Sequence, residues 1–188
     1  MTININNYFE DAYKAVKTIS TSQLNLATQI LEQAHQNQQT TYVIGNGQSA
    51  ASASAFALDL SLHTGIHSSN RRFRIISLTD NNAAITAWAN DVDYESIFTE
   101  QLKSLWNPGD VLLAVSASGN SPNIIQACSW VKESDGPIIG LTGFKGGRLC
   151  ALSQACIVVD SSDYGYIETA HVAVMHYWVA YFKQKLVG

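Results

Sequence analysis

The chain predicts an α/β fold: a doubly wound, five-stranded parallel sheet with a helical extension at its N-terminus. Three observations carry this. Short apolar runs alternate with helical segments from residue 41 to the end. Those runs are apolar throughout, as strands covered on both faces must be, instead of alternating with polar residues. Before residue 40 the spacing is helical only.

The elements follow in order. Ile5, Phe9, Ala12, Val16 and Ile19 recur at helical spacing and predict the first helix. A second starts at Ser20, where Ser20 and Gln23 form a capping-box pattern before the stripe Leu24, Ala27, Ile30, Leu31 and Ala34. Residues 1–39 are thus the extension, and 40–188 the core of a single domain. TYVIG (41–45) is a strand and the Ala- and Leu-rich 49–63 a helix. FRIISL (73–78) is a strand, and NAAITAWAND (82–91) and YESIFTEQLKSLW (94–106) are helical. DVLLAVS (110–116) is the third strand, and 121–134 a helix with Pro122 in its first turn, where proline is tolerated. PIIGLTG (137–143) is a strand, RLCALSQA (148–155) a short helix, and CIVVD (156–160) the fifth strand. The closing helix (166–186) carries Ala170, Val172, Ala173, Val174, Met175, Trp178, Val179 and Phe182. So little polar face predicts burial, here against another subunit.

Composition bounds the function. A net charge of -4 with only 11 Lys and Arg argues against direct nucleic-acid binding. The one basic cluster, NRRFR (70–74), reads as a solvated flank before a strand. Cys128, Cys150 and Cys156 are odd in number and lack metal-type pairing, so they read as reduced structural thiols. There is no signal-like N-terminus and no apolar run long enough for a bilayer, so a soluble cytoplasmic protein without a membrane partner is expected.

Ligands of such sheets bind beyond the carboxyl ends of the strands, which directs attention to two loops. GNGQSAAS (45–52) and SASGNSPN (116–123) both combine glycine with serine at a helix N-terminus. Glycines let the backbone approach closely, free N–H groups and the helix dipole favour an anion, and hydroxyls reorient around a tetrahedral phosphate. Taken alone, each loop also fits a tight turn with capping serines. Gly45, Gly47 and Ala50 match G-x-G-x-x-A, but position 65, about 20 residues on, is Gly65 where a ribose-binding acid belongs. Neither loop has the Gly-Lys-Ser/Thr of an ATPase. No nucleotide cofactor is expected; one anion held by several serines explains both loops.

GNGQSAASA, AND and SASGNSPNI together resemble the sugar-isomerase (SIS) domain family, with LTGFKGG (141–147) in support. Within it the chain is most similar to phosphoheptose isomerases and to a replication-initiator-associating, DiaA-like branch. The resemblance covers nearly the whole chain. It implies a flavodoxin-like fold, a homotetramer, and a small phosphorylated sugar as ligand. It implies that Ser49, Ser116, Ser118 and Ser121 hold the phosphate, with Asn46 beside the sugar and Asp91 near its hydroxyls. Asp91 also reads as a helix-end aspartate bonded locally. The implied chemistry is aldose–ketose isomerisation, sedoheptulose 7-phosphate to a mannoheptose 7-phosphate, by acid/base proton transfer.

The catalytic shell departs from the family. AFALD puts Ala55 where a zinc-ligand histidine belongs and Asp59 where a catalytic glutamate belongs. IETAHVAVMH puts Glu168 in place of a glutamine and keeps His176, and Gly165 replaces an aspartate. On a helix Glu168 and His176 differ by roughly 80°, so the two are expected to converge on one cleft and to act with Asp59. Glu168 is then both a sugar contact and a candidate base. The same three side chains form a candidate O,O,N zinc set with one open position. His171 and His63 read as core or interface residues. Two readings follow: an isomerase with an altered shell, or a sugar-phosphate- or protein-binding module that has lost catalysis.

Overall fold

The computed structural model describes residues 4–65 and 72–187; Asn70 and Arg71 of the basic cluster lie outside them. Helix α1 (Ile5–Lys17) begins where the Asn4 side chain accepts from the N–H groups of Asn6 and Asn7. Helix α2 (Thr21–Gln36) begins at Ser20, whose hydroxyl accepts from the Gln23 N–H, one half of the predicted capping box.

The core then alternates: β1 (Thr41–Gly45), α3 (Gln48–Gly65), β2 (Ile75–Ser77), α4 (Asn82–Asp91), α5 (Thr99–Leu105), β3 (Val111–Val115), α6 (Pro122–Glu133), β4 (Ile138–Thr142), α7 (Gly147–Leu152), β5 (Ala155–Val158) and α8 (Tyr164–Val187). All pairings are parallel, in the order β2-β1-β3-β4-β5. The five strands are therefore those expected, and the sheet is doubly wound. Every residue of β1, β3 and β4 is buried. Val43, Leu113, Val115, Ile139, Leu141 and Ile157 face α2, α3 and α8. Tyr42, Ile44, Leu112, Ala114 and Ile138 face α5, α6 and α7. Both faces are covered, which is why the strands read as unbroken apolar runs.

Three expectations need correction. The segment 94–106 is not one helix. A 3-10 turn (Tyr94–Ser96) is capped by Asp93, whose carboxylate accepts from the Ser96 N–H at 2.7 Å. Ile97 and Phe98 then enter the core before α5 starts. Second, Cys150 and Cys156 form a disulfide, with Cα atoms 5.3 Å apart. Helix α7 turns directly into β5, which sets the two side chains face to face. Only Cys128 is free, and burial pushes its thiol pKa up to about 12. Third, α8 owes most of its apolar character to its own chain. Ile167, Ala170, Val174, Met175, Trp178 and Phe182 are all buried within this chain. Helices α1 and α3 pack along α8, and the Trp178 indole donates to the Thr28 hydroxyl of α2 at 2.9 Å.

Candidate functional site

The sheet order reverses between β1 and β3, which lie side by side at its centre. The crevice beyond their carboxyl ends is where such a fold leaves room for a ligand. Both serine loops meet there. After β1 the chain crosses Asn46 and Gly47, the latter at φ +55°, and enters α3. A Cβ on Gly45 would lie 2.6 Å from the Ser49 backbone, so only glycine lets the first turn of α3 press this closely on the strand end.

After β3 the loop runs through Ser116, Ser118 and Ser121 into α6. Its shape is held from outside. The Ser116 N–H donates to the Leu141 carbonyl, and the Leu149 N–H of α7 donates to the Gly119 carbonyl. The Asn120 side chain accepts from the Arg148 N–H at 3.0 Å. Gly119 sits at φ +67°, and a Cβ there would meet the Gly146 carbonyl oxygen at 2.2 Å. Ser121 is the residue before α6, yet its hydroxyl does not cap the helix. It lies 3.2 Å from the Ser116 hydroxyl instead.

The result is one polar cavity of about 180 Å³, lined by Asn46, Ser49, Ser116, Ser118, Ser121, Tyr164 and Glu168 among others. The two loops, 70 residues apart in the chain, close on the same space. Four hydroxyls converge there with an amide, a phenol and one carboxylate. Among the described residues no Lys or Arg lines it, so an anion would be held there by neutral donors at the start of α3 and α6.

A second cavity, of about 280 Å³, lies on the seam between α3 and α8. It is lined by Ala55, Asp59, His176, Gln48, Ser52 and Met175 among others. Asp59 and His176 are thus brought together, with Ala55 one turn before Asp59. Glu168 is not with them, because it lines the serine cavity. The helical wheel places Glu168 and His176 on neighbouring sides of α8, but eight residues also separate them by about 12 Å along the axis. They are successive stations on one seam, not walls of a single cleft.

A family model described as SIS domain matches residues 6–143, most of the chain. The chain belongs to the SIS-domain family.

Its curated relatives are consistent among themselves. The chain is 37% identical to the phosphoheptose isomerase of Aliarcobacter butzleri (strain RM4018), over 85% of each chain. It is 35% identical to that of Helicobacter pylori (strain P12), over 81% of this chain and 79% of the relative. Its fold also superposes on the solved phosphoheptose isomerase of Neisseria gonorrhoeae with a TM-score of 0.87. That match has 27% identity and covers 96% of this chain and 97% of the other.

Within this SIS domain the remaining candidates fall as follows. Asp91 ends α4, is exposed, and accepts from the Asn90 side chain at 2.8 Å; it does not line the serine cavity. The same segment does reach the site, but through Tyr94, whose hydroxyl donates to Asn46 Oδ1 at 3.3 Å. His171 is buried, lies 3.0 Å from the Thr142 carbonyl, and belongs to the core. Tyr164, Tyr94 and Asn123 were not singled out from sequence. Tyr164 stands one helical turn before Glu168 and shares its face, which is the signal that could have found it.

A zinc ion was the implied cofactor. Asp59 and His176 offer one oxygen and one nitrogen on the seam, Ala55 offers nothing, and Glu168 faces the other cavity. Among the described residues no three His, Cys, Asp or Glu side chains are grouped so as to hold a metal. Among the described residues, the Asp59–His176 pair by itself falls short of a three-ligand zinc site.

Proposed function

We propose that this SIS domain is a phosphosugar isomerase of the phosphoheptose type, interconverting sedoheptulose 7-phosphate and a mannoheptose 7-phosphate. The observation that carries the reading is the meeting of the two serine loops in one cavity beside Glu168. The names of the relatives supply the substrate class.

In this reading Ser49, Ser116, Ser118 and Ser121 hold the phosphate. A 7-phosphate carries its reacting carbons at the end of the sugar farthest from the phosphorus. With the phosphate in the cradle, the sugar runs along the α3–α8 seam, past Glu168 toward Asp59 and His176. Isomerisation takes a proton from C1 of the ketose, returns one to C2, and moves a hydroxyl proton from O1 to O2. Glu168 is the first carboxylate along that path and contacts the sugar hydroxyls next to the cradle. At the far end Asp59 takes the proton from C1 and returns it to C2, and His176 beside it moves the proton between oxygens. Asp91, which the family resemblance puts near the sugar hydroxyls, lies outside the cradle at the exposed end of α4.

The reading includes a homo-oligomer, a tetramer by the family resemblance, in the cytoplasm. Leu58 and Leu62 on the outer side of α3, and Ile5, Phe9 and Tyr13 on α1, are exposed apolar side chains that an assembly would cover. No helix among the described residues is long and apolar enough to cross a membrane.

A second reading is a sugar-phosphate-binding module without turnover, or one that binds a protein partner. The incomplete donor set around Ala55 and Asp59 favours it. One experiment separates the two. Purified protein is assayed on C5 to C7 ketose phosphates, with and without added zinc, and its metal content is measured. Turnover abolished by His176→Ala supports the isomerase. Phosphate binding without turnover in any condition leaves the binding module.

A further inference from the structure

Asn46 and Asn123 exchange two hydrogen bonds across the crevice. Asn46 Nδ2 donates to Asn123 Oδ1 at 2.8 Å, and Asn123 Nδ2 donates to Asn46 Oδ1 at 2.9 Å. An amide pair of this kind is ordinarily ambiguous, because either side chain can be turned over. Here a third contact removes the ambiguity. The backbone N–H of Ile124 can only donate, and it points at Asn123 Oδ1 from 3.0 Å. That oxygen is therefore the acceptor, Asn123 Nδ2 is the donor, and Asn46 is set in turn. Asn123 is almost wholly buried, with 2% of its surface exposed, so water does not compete for these bonds.

The consequence lies at Asn46. A carbonyl oxygen has two lone pairs, and an amide nitrogen has two hydrogens. Both lone pairs of Asn46 Oδ1 are engaged, one by Asn123 and one by the Tyr94 hydroxyl at 3.3 Å. One hydrogen of Nδ2 is engaged by Asn123. What remains is a single N–H, on a side chain that lines the serine cavity.

We infer that Asn123 is a positioning residue for the reaction: it locks the Asn46 amide so that Asn46 meets the sugar only as a donor, to an oxygen that accepts. A hydroxyl or phosphate-ester oxygen at the end of the sugar nearest the cradle is such an oxygen, and a donor fixed beforehand costs no reorganisation on binding. Asn123 touches no substrate itself. It also ties the first loop to the start of α6, so the two halves of the cradle keep one spacing. The inference rests on the proposed sugar-phosphate site.

The test uses Asn123→Asp. This change keeps the volume and the acceptor for the Ile124 N–H, and adds a negative charge that a helix N-terminus tolerates. It replaces the donor facing Asn46 Oδ1 with an oxygen, so two oxygens repel there and the contact that fixes the orientation of the Asn46 amide is lost. Sedoheptulose 7-phosphate and inorganic phosphate are titrated separately by calorimetry into wild type, Asn123→Asp, Asn123→Ala, Asn46→Ala and the double alanine variant. Turnover is measured where it exists, with thermal unfolding alongside. The expected result is a loss of about tenfold or more in kcat/KM or sugar-phosphate affinity, the worth of one misdirected hydrogen bond. Inorganic phosphate affinity changes less than threefold in Asn123→Ala, and the double variant is no worse than Asn46→Ala alone. Multiplying losses, equal losses for sugar phosphate and phosphate, or an Asn123→Asp variant that matches wild type would each overturn the inference. Wild type that binds the sugar phosphate without turning it over would sink the isomerase reading alone. Wild type that does not bind it would sink both.

Discussion

His171 gives the protein a stability that depends on pH in a calculable way. Its ring lies in the core under β4, with Thr142 O at 3.0 Å from Nε2 and Nδ1 buried without a hydrogen-bond partner. Burial disfavours the imidazolium and outweighs the opposing Thr142 carbonyl, lowering the pKa from 6.5 to about 4. The folded state therefore keeps a neutral ring where the unfolded chain takes up a proton. The loss of stability begins as pH falls below 6.5 and is complete below about 4. At about 1.4 kcal/mol for each pKa unit, the whole effect is about 3 kcal/mol, and about 2 kcal/mol of it falls between pH 7 and pH 5. Carboxylates also titrate there, so the measurement is a difference. Urea unfolding of wild type and His171→Gln is followed from pH 8 to pH 4.5. The variant is less stable at pH 7, and the gap narrows by about 2 kcal/mol at pH 5. Curves that stay parallel across this range would refute the assignment of a buried neutral ring.

Three further outcomes follow from the cradle. Ser49→Ala and Ser121→Ala should each weaken inorganic phosphate binding by about three- to tenfold, one hydrogen bond apiece, as read by calorimetry. Neither change should alter thermal unfolding enough to explain the loss. Glu168→Gln should separate phosphate from sugar: removing a like charge from the cavity tightens phosphate binding several-fold, while turnover of the sugar phosphate drops because a sugar contact is weakened. A variant with weaker phosphate binding and unchanged turnover would contradict both roles. Gly119→Ala places a methyl against the Gly146 carbonyl at a left-handed φ, so it should destabilise by more than about 1 kcal/mol in urea unfolding. It should also weaken phosphate binding, because the loop between Ser118 and Ser121 must shift to accept it.

The fold was legible because this sheet is covered on both faces. A five-residue strand buried on both faces must be apolar at every position, and β1, β3 and β4 read that way. The meeting of the two serine loops was legible for a related reason. Glycine beside serine at a strand-to-helix turn is a local pattern, and a phosphate needs little more than such a pattern repeated. What stayed hidden depends on distances that local patterns do not encode. The break at Ile97 and Phe98 arises because two buried side chains pull the segment into the core, against its helical spacing. The pairing of Cys150 with Cys156 depends on how α7 meets β5. The Asn46–Asn123 exchange joins residues 77 apart.

The seam makes the point most clearly. Helical periodicity reports rotation about an axis and is silent about translation along it. By rotation alone Glu168, His176 and, across the seam, Asp59 are neighbours. With the rise of the helix included, the carboxylate at the cradle and the Asp59–His176 pair stand about 12 Å apart along α8. That separation parts Glu168 from Asp59 and His176, the three side chains of the expected zinc set. It also suits a substrate that is itself long and carries its charge at one end and its reacting carbons at the other. The same geometry supports a chain-length preference in the proposed reaction. On the proposed reading, turnover should fall from C7 to C5 ketose phosphates, because a shorter sugar phosphate held by the same serines stops short of His176; equal turnover across that series would refute it.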